Sequence, residues 1–262
     1  GLAWTSLLAG CGESSGARAP ATTVPPADAA TGQDPEAGGA GTPSDPGEDL
    51  GGEDPGGEDP GEDPGEGPVI VAETDRPIEL RTAPQETSPP RSLAPDPVSG
   101  RSVLLVVQQL GGWVQVRLPT GPDGERAWVQ RDDVALSRHA FRIEVSRGAH
   151  VLTVRDGDTE VLREPVALGP QAPPAGSSLF VTSLVSPPGA GPYGSLAYGL
   201  SGSVLDLAAL RSGSGVAIHG TSDVAALGGD APAGAIAVGD EAVERMVESL
   251  GLPLGTPVDV VA

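Results

Sequence analysis

Few side chains in this sequence can do chemistry near neutral pH: three histidines, His139, His150 and His219, and one cysteine, Cys11. A lone cysteine forms no intrachain disulfide and builds no cysteine-based zinc site. The histidines lie too far apart for a local metal-ligand pattern, and neither a metal nor a cofactor is expected. His219 stands out by its frame, the run Gly215-Val216-Ala217-Ile218-His219-Gly220-Thr221. By residue type it reads as a buried, hydrogen-bonded histidine holding a strand end, whereas His139 and His150 read as surface residues. For such an imidazole to act as a base, a nucleophile must lie within hydrogen-bond reach. The hydroxyls nearest to it in the sequence are those of Thr221 and Ser222.

The elements that carry these residues occupy only part of the chain. It has 262 residues and a net charge of −21, and all 15 basic residues are Arg. With no basic face to neutralise phosphates, a nucleic-acid partner is excluded. Gly (39) and Pro (28) are abundant and aromatics make up only 3%, a composition bordering on low complexity. The imbalance is local. Residues 12–67 hold 14 acidic residues and one Arg, 14 Gly and 9 Pro, including the repeat Gly51-Gly52-Glu53-Asp54-Pro55, Gly56-Gly57-Glu58-Asp59-Pro60, Gly61-Glu62-Asp63-Pro64. Such a stretch buries too little apolar area to offset the entropy of folding and is expected to be a disordered acidic linker, spanning roughly 40 Å root-mean-square. Its proline-broken units lack the ligand spacing of a calcium loop. Ahead of it, Gly1-Leu2-Ala3-Trp4-Thr5-Ser6-Leu7-Leu8-Ala9-Gly10 looks like the end of a secretory apolar region.

From Val69 the pattern changes. Val69-Ile70-Val71, Ile78-Glu79-Leu80, Val103-Leu104-Leu105-Val106-Val107, Trp113-Val114-Gln115-Val116-Arg117-Leu118 and Ala127-Trp128-Val129 alternate with turn residues, which predicts short antiparallel strands over about 68–137. Trp113 and Trp128 are expected in the core of this small barrel. Over 138–262, Phe141-Arg142-Ile143-Glu144-Val145 and His150-Val151-Leu152-Thr153-Val154 read as a hairpin, and Leu179-Phe180-Val181-Thr182-Ser183-Leu184 and Pro257-Val258-Asp259-Val260-Val261 as strands. One main helix is predicted, capped by Asp240, buried through Val243, Met246, Val247 and Leu250, and ended by Gly251. The fold class is therefore mostly β.

Three resemblances attach to these residues. Leu8-Ala9-Gly10-Cys11 resembles a bacterial lipobox, in which the signal is cut before the cysteine and lipid is added to it. Leu80-Arg81-Thr82-Ala83-Pro84, Gly112-Trp113-Val114-Gln115-Val116 and Ala127-Trp128-Val129 resemble a bacterial SH3-like domain. The Ile218-His219-Gly220-Thr221 run resembles the His motif of L,D-transpeptidases, the YkuD-type catalytic domain, together with Gly191-Pro192-Tyr193, Leu200-Ser201-Gly202, Leu227-Gly228 and Gly255-Thr256-Pro257-Val258. This implies an actinobacterial type of envelope protein: a lipoprotein remnant ending at Cys11 (1–11), the linker (12–67), an SH3-like domain (68–137) and a YkuD-like domain (138–262).

Members of the family cross-link peptidoglycan. A Cys thiolate attacks a stem-peptide bond, a His at the position of His219 serves as base, and D-Ala leaves. The family carries Ser-His-Gly-Cys-Ile-Arg-Met/Leu downstream of the His motif. This chain reads Pro232-Ala233-Gly234-Ala235-Ile236-Ala237-Val238. Gly234 and Ile236 keep the frame, but Ala235 stands at the nucleophile, Ala233 at the His and Ala237 at the Arg. The proline loop is also altered, to Ala172-Pro173-Pro174-Ala175-Gly176-Ser177. The resemblance implies stem peptides or wall-synthesis proteins as partners, and an extracytoplasmic, membrane-anchored location facing the wall. Three readings stay open: a pseudoenzyme, a transpeptidase that is active by an unusual arrangement or was inactivated by engineered alanines, and a structural spacer keeping only the fold.

Overall fold

The structure is a computed structural model that describes residues 67–120, 124–187, 193–203 and 205–262. Cys11, the lipobox-like run and the acidic repeat lie outside these residues, as do Gly191 and Pro192. The first seven strands are β1 (Val69–Thr74), β2 (Ile78–Leu80), β3 (Arg91–Leu93), β4 (Ser102–Leu110), β5 (Trp113–Arg117), β6 (Arg126–Gln130) and β7 (Ala135–His139). Five of them make an antiparallel sheet in the order β6-β5-β4-β1-β7, and β2 pairs with β3 in a separate ribbon. Arg81 and Trp128 exchange backbone hydrogen bonds of 2.8 and 2.7 Å, which tie the end of the ribbon to β6. Alternation does what the sequence predicts: Val114 and Val116 of β5 point inward with Ile78, Leu80, Leu104 and Val129. Trp128 is buried, but Trp113 is only partly covered and lies under the guanidinium of Arg81, 5.9 Å from its ring centre. β3 and β7 were not legible, since Arg91-Ser92-Leu93 and Ala135-Leu136-Ser137-Arg138-His139 have too few apolar residues to show a period.

The second set of strands is β8 (Phe141–Ser146), β9 (Val151–Asp156), β10 (Thr159–Pro165), β11 (Ala167–Leu168), β12 (Ser178–Val185), β13 (Ala197–Leu200), β14 (Ala217–Thr221), β15 (Ile236–Gly239) and β16 (Pro257–Val261). They form one mixed sheet, ordered β10-β9-β8-β16-β12-β13-β14-β15-β11. Its two edge strands, β10 and β11, are neighbours in sequence, so the sheet curls until its ends nearly meet. The parallel pairs are β16 with β8 and β14 with β15.

Two helices accompany it, α1 (Leu207–Ser212) and α2 (Asp240–Glu248). α2 is the helix the sequence predicts; it buries Ala242, Val243 and Met246 against the sheet. Its cap differs from expectation. Gly239 is the N-cap, and Asp240 turns its carboxylate away, to accept from Ser195 N at 3.0 Å and Ser195 Oγ at 3.3 Å. The short α1 escaped the sequence reading because six residues show barely one period. Asp206 caps it by accepting from Ala209 N, and Gly213 ends it in the left-handed region.

The two sheets share contacts. Gly202 N donates to Pro119 O at 2.8 Å, and Arg117 donates to Ser178 O at 2.6 Å. Gly255, with φ +83°, brings its backbone so close to Val71 that a Cβ would lie 2.3 Å from Val71 Cγ2. A hydroxyl is stranded in the larger core: Tyr198 Oη is buried with no hydrogen-bond partner among the described residues. Burial pushes its ionisation far up. A buried unsatisfied hydroxyl costs about 1–3 kcal/mol, so Tyr198→Phe is expected to raise stability by about 1 kcal/mol. A shift of the urea midpoint upward checks this, and a shift downward would refute it.

Candidate functional site

β14, third from the β11 edge of the curled sheet, carries His219. The strand is flanked by β13, with Ala197 opposite His219, and by β15, with Ala237 opposite it. His219 is only 1% exposed. Its Nδ1 lies 3.0 Å from Gly220 O; a carbonyl only accepts, so Nδ1 carries the proton and Nε2 is the bare nitrogen of the neutral ring. Tyr193 packs edge-on at 4.6 Å between ring centres, and its hydroxyl donates to Gly215 O at 2.7 Å.

Nε2 is the atom that would take a proton from a nucleophile, and it is sealed. It is buried and has no hydrogen-bond partner among the described residues. The backbone of Gly234 covers it: a Cβ built on Gly234, whose φ is +78°, would fall 2.4 Å from His219 Nε2. Ala235 is fully buried, Ala237 is 4% exposed, and Ala233 is partly covered. The segment is pinned from its far side as well. Ala167 pairs with Ala237, Gly169 N donates to Ala235 O at 2.8 Å, and Gln171 N donates to Gly234 O at 3.1 Å. The proline loop is held by Arg147, which donates to Pro173 O at 2.8 Å.

The structure therefore gathers His219 on β14, Ala237 on β15 and Gly234 and Ala235 just before β15, and brings no hydroxyl to Nε2 among the described residues. Thr221 Oγ1 accepts from Asp223 N at 3.1 Å, a local turn contact. Asp240, on α2, acts on His219 through its charge and holds Ser195; sequence spacing gave no sign of it, because Asp240 reads there as a cap. Gly220 makes this approach possible, since a Cβ there would meet Asp240 Oδ1 at 2.2 Å. Among the described residues no group of three or more His, Asp and Glu side chains is arranged to hold a metal ion.

His139 is half-buried rather than a surface residue. Phe141 N donates to its Nδ1 at 3.2 Å, and its Nε2 has no partner among the described residues. Burial and then Arg142 push its pKa down to about 4, against an opposing pull from Asp156. His219 is also pushed down, by burial first, with Gly220 O and Asp240 opposing. Both native pKa values lie below the unfolded value near 6.5. Below that pH the unfolded chain binds more protons than the native one, so stability is complete above about pH 6.5 and declines as pH falls through the native values. Urea midpoints are expected to be lower at about pH 5 than at about pH 7.5, and His139→Gln should remove part of that difference. A flat profile would contradict the two buried neutral rings.

Residues 140–260 match the family model described as YkuD, the L,D-transpeptidase catalytic domain. No curated protein sequence matches the chain. Among solved structures, an L,D-transpeptidase from Xylanimonas cellulosilytica DSM 15894 is 16% identical with a TM-score of 0.35, covering 47% of this chain and 60% of that one. L,D-transpeptidase 3 from Mycobacterium tuberculosis, with a faropenem-derived adduct, is 15% identical with a TM-score of 0.39, covering 62% of this chain and 91% of that one. An L,D-transpeptidase from Mycobacterium smegmatis is 16% identical with a TM-score of 0.37, covering 71% and 99%. The strands from β8 to β16, with α2 behind them, are the part of the chain that matches the YkuD L,D-transpeptidase catalytic-domain model, residues 140–260.

Proposed function

We propose that this chain is a cell-envelope lipoprotein whose YkuD domain engages peptidoglycan stem peptides, or the proteins that build the wall, without catalysing acyl transfer. The observation that carries the reading is the sealed Nε2 of His219 against the backbone of Gly234, with Ala235, the next residue, fully buried. An acyl-transfer site needs a nucleophile, a base that reaches it, and donors for the oxyanion. Here the position of the nucleophile holds a buried methyl, and the base position faces glycine backbone.

The first sheet and its ribbon act, in this reading, as an SH3-like domain over 68–137. Its contacts through Pro119, Arg117 and Val71 support a role as a packing partner of the YkuD-like domain over 138–262. The lipobox resemblance assigns lipidation to Cys11, and residues 12–67 then act as an acidic spacer that lets the folded part work away from the membrane. No helix among the described residues is long and apolar enough to cross a membrane. In this reading the lipid on Cys11 supplies the anchor, and stable attachment takes more than one acyl chain at ~0.8 kcal/mol per buried CH₂.

Two measurements test this. Immobilised tetrapeptide stems should retain the purified protein, and stems lacking the terminal D-Ala should retain it less. A spacer that keeps only the fold would pass through both resins. In cells, Cys11→Ser should move the protein from the membrane fraction to the soluble one; an unchanged distribution overturns the anchor.

A further inference from the structure

The first sheet is split at one end. β1 and β4 pair from Val71 opposite Leu105 to Thr74 opposite Ser102, and the ladder stops there. Both strands run on past that point, β1 back to Val69 and β4 out to Leu110, each paired only on its outer flank, to β7 and to β5. No backbone hydrogen bond joins them beyond Val71 and Leu105 among the described residues. The gap is a groove of about 460 Å³, walled by residues 67–70 on one side and 105–109 on the other. A bulge between Val106 and Gln108 turns β4 at this point, and its tip stays uncovered: Val107 is 40% exposed and Leu110 is 53% exposed.

Three guanidiniums line the same groove, Arg117, Arg126 and Arg142, and among the described residues no carboxylate does. That is notable in a chain with 36 acidic residues against 15 arginines. Arg76, Arg81, Arg91, Arg101, Arg163 and Arg245 form ion pairs with carboxylates, and none of these lines the groove. The groove arginines have no carboxylate within 4.0 Å among the described residues. Arg142 donates to Gly67 O at 2.8 Å, and Arg117 to Ser178 O and Oγ, so each keeps N–H groups to spare. Arg117 is pushed below its ordinary value by burial and by its neighbour Arg126, against a smaller opposing pull from Asp259. The groove thus concentrates like charges, and an anion seated there relieves the repulsion.

We propose that this groove is a docking site for an extended acidic peptide, which adds as a strand along the free edge of β4 and places its carboxylates against Arg117, Arg126 and Arg142. Unpaired strand edges take up extended chains through main-chain hydrogen bonds, with side chains supplying selectivity. The aliphatic walls at Val69, Ile70 and Val107 suit a partner whose acidic residues alternate with apolar ones. This site is independent of the chemistry at His219.

The test uses the full chain and a fluorescein-labelled octapeptide of alternating Glu and Val, blocked at both ends, read by anisotropy. Binding should saturate and weaken on the order of tenfold as salt rises from about 20 to about 200 mM. Arg126→Ala, at an exposed position, should weaken it roughly fivefold while leaving the melting temperature unchanged. The Lys-Val octapeptide should not bind. A Glu-Val peptide with alternate amides N-methylated keeps the charge and loses the ladder, and it should bind on the order of tenfold more weakly. Equal binding of the methylated peptide, an unchanged affinity in Arg126→Ala, equal binding of inorganic polyphosphate, or no binding at low salt would each overturn the proposal.

Discussion

Tetrapeptide stems incubated with the purified protein are expected to release no D-Ala above buffer, and a carbapenem is expected to leave no mass adduct on the folded part. Losing the nucleophile of an acyl-transfer site removes rate by on the order of a million-fold. The structure adds a second barrier, because the imidazole that would activate a nucleophile is closed off. His219 Nε2 abuts the Gly234 backbone and reaches no polar group among the described residues. Ala235→Cys alone should therefore fail to restore full turnover. In the proposed reading Ala233 and Ala237 still leave the family's His and Arg positions empty, and Ala237 is locked in the ladder between Ala167 and His219. Residues of one catalytic unit act non-additively. Stem cross-linking by the unmodified protein, with contaminating enzymes excluded by mass spectrometry, would sink the pseudoenzyme reading.

Gly234→Ala is expected to be among the most damaging small substitutions in the molecule. At φ +78° an L-residue with a side chain is strained, and the added methyl would sit 2.4 Å from His219 Nε2. Left-handed backbone costs about 1–2 kcal/mol and overpacking a further 1–3 kcal/mol, giving a loss of about 2–5 kcal/mol. The neighbours cannot yield easily. Gly234 O is held by Gln171 N, and Gly169 approaches it so closely that a Cβ on Gly169 would lie 2.3 Å from that oxygen. The urea midpoint should fall without a change in slope. A control, Gly228→Ala, shares a positive φ of +88° but meets nothing within 4 Å, so it should lose only the backbone share. Equal losses in the two variants would show that the contact with His219 is not tight.

The sequence by itself determined the mostly-β class, because apolar residues at alternate positions can form a buried face only in strands. It also determined α2, whose Val243 and Met246 fall on one helical face, and the closing strand Pro257–Val261. The frame around His219 was legible only through its resemblance to the Ile-His-Gly-Thr motif of the family. Tertiary structure decided the rest. β3, β7 and the short α1 carry too little periodic signal and are fixed by partners distant in the chain. Asp240 has the local chemistry of a helix cap, yet it is drawn to Ser195 and toward His219 because the close approach of Gly194 and Gly220 leaves room for it there. His139 lost its expected exposure when β7 paired with Val69. The family resemblance implied that a nucleophile is missing downstream of His219; only the parallel pairing of β14 with β15, held from behind by β11, put glycine backbone against the nitrogen that would have needed one. Alternation and helical period are local properties written residue by residue, whereas the closure of a site depends on which distant strands lie side by side.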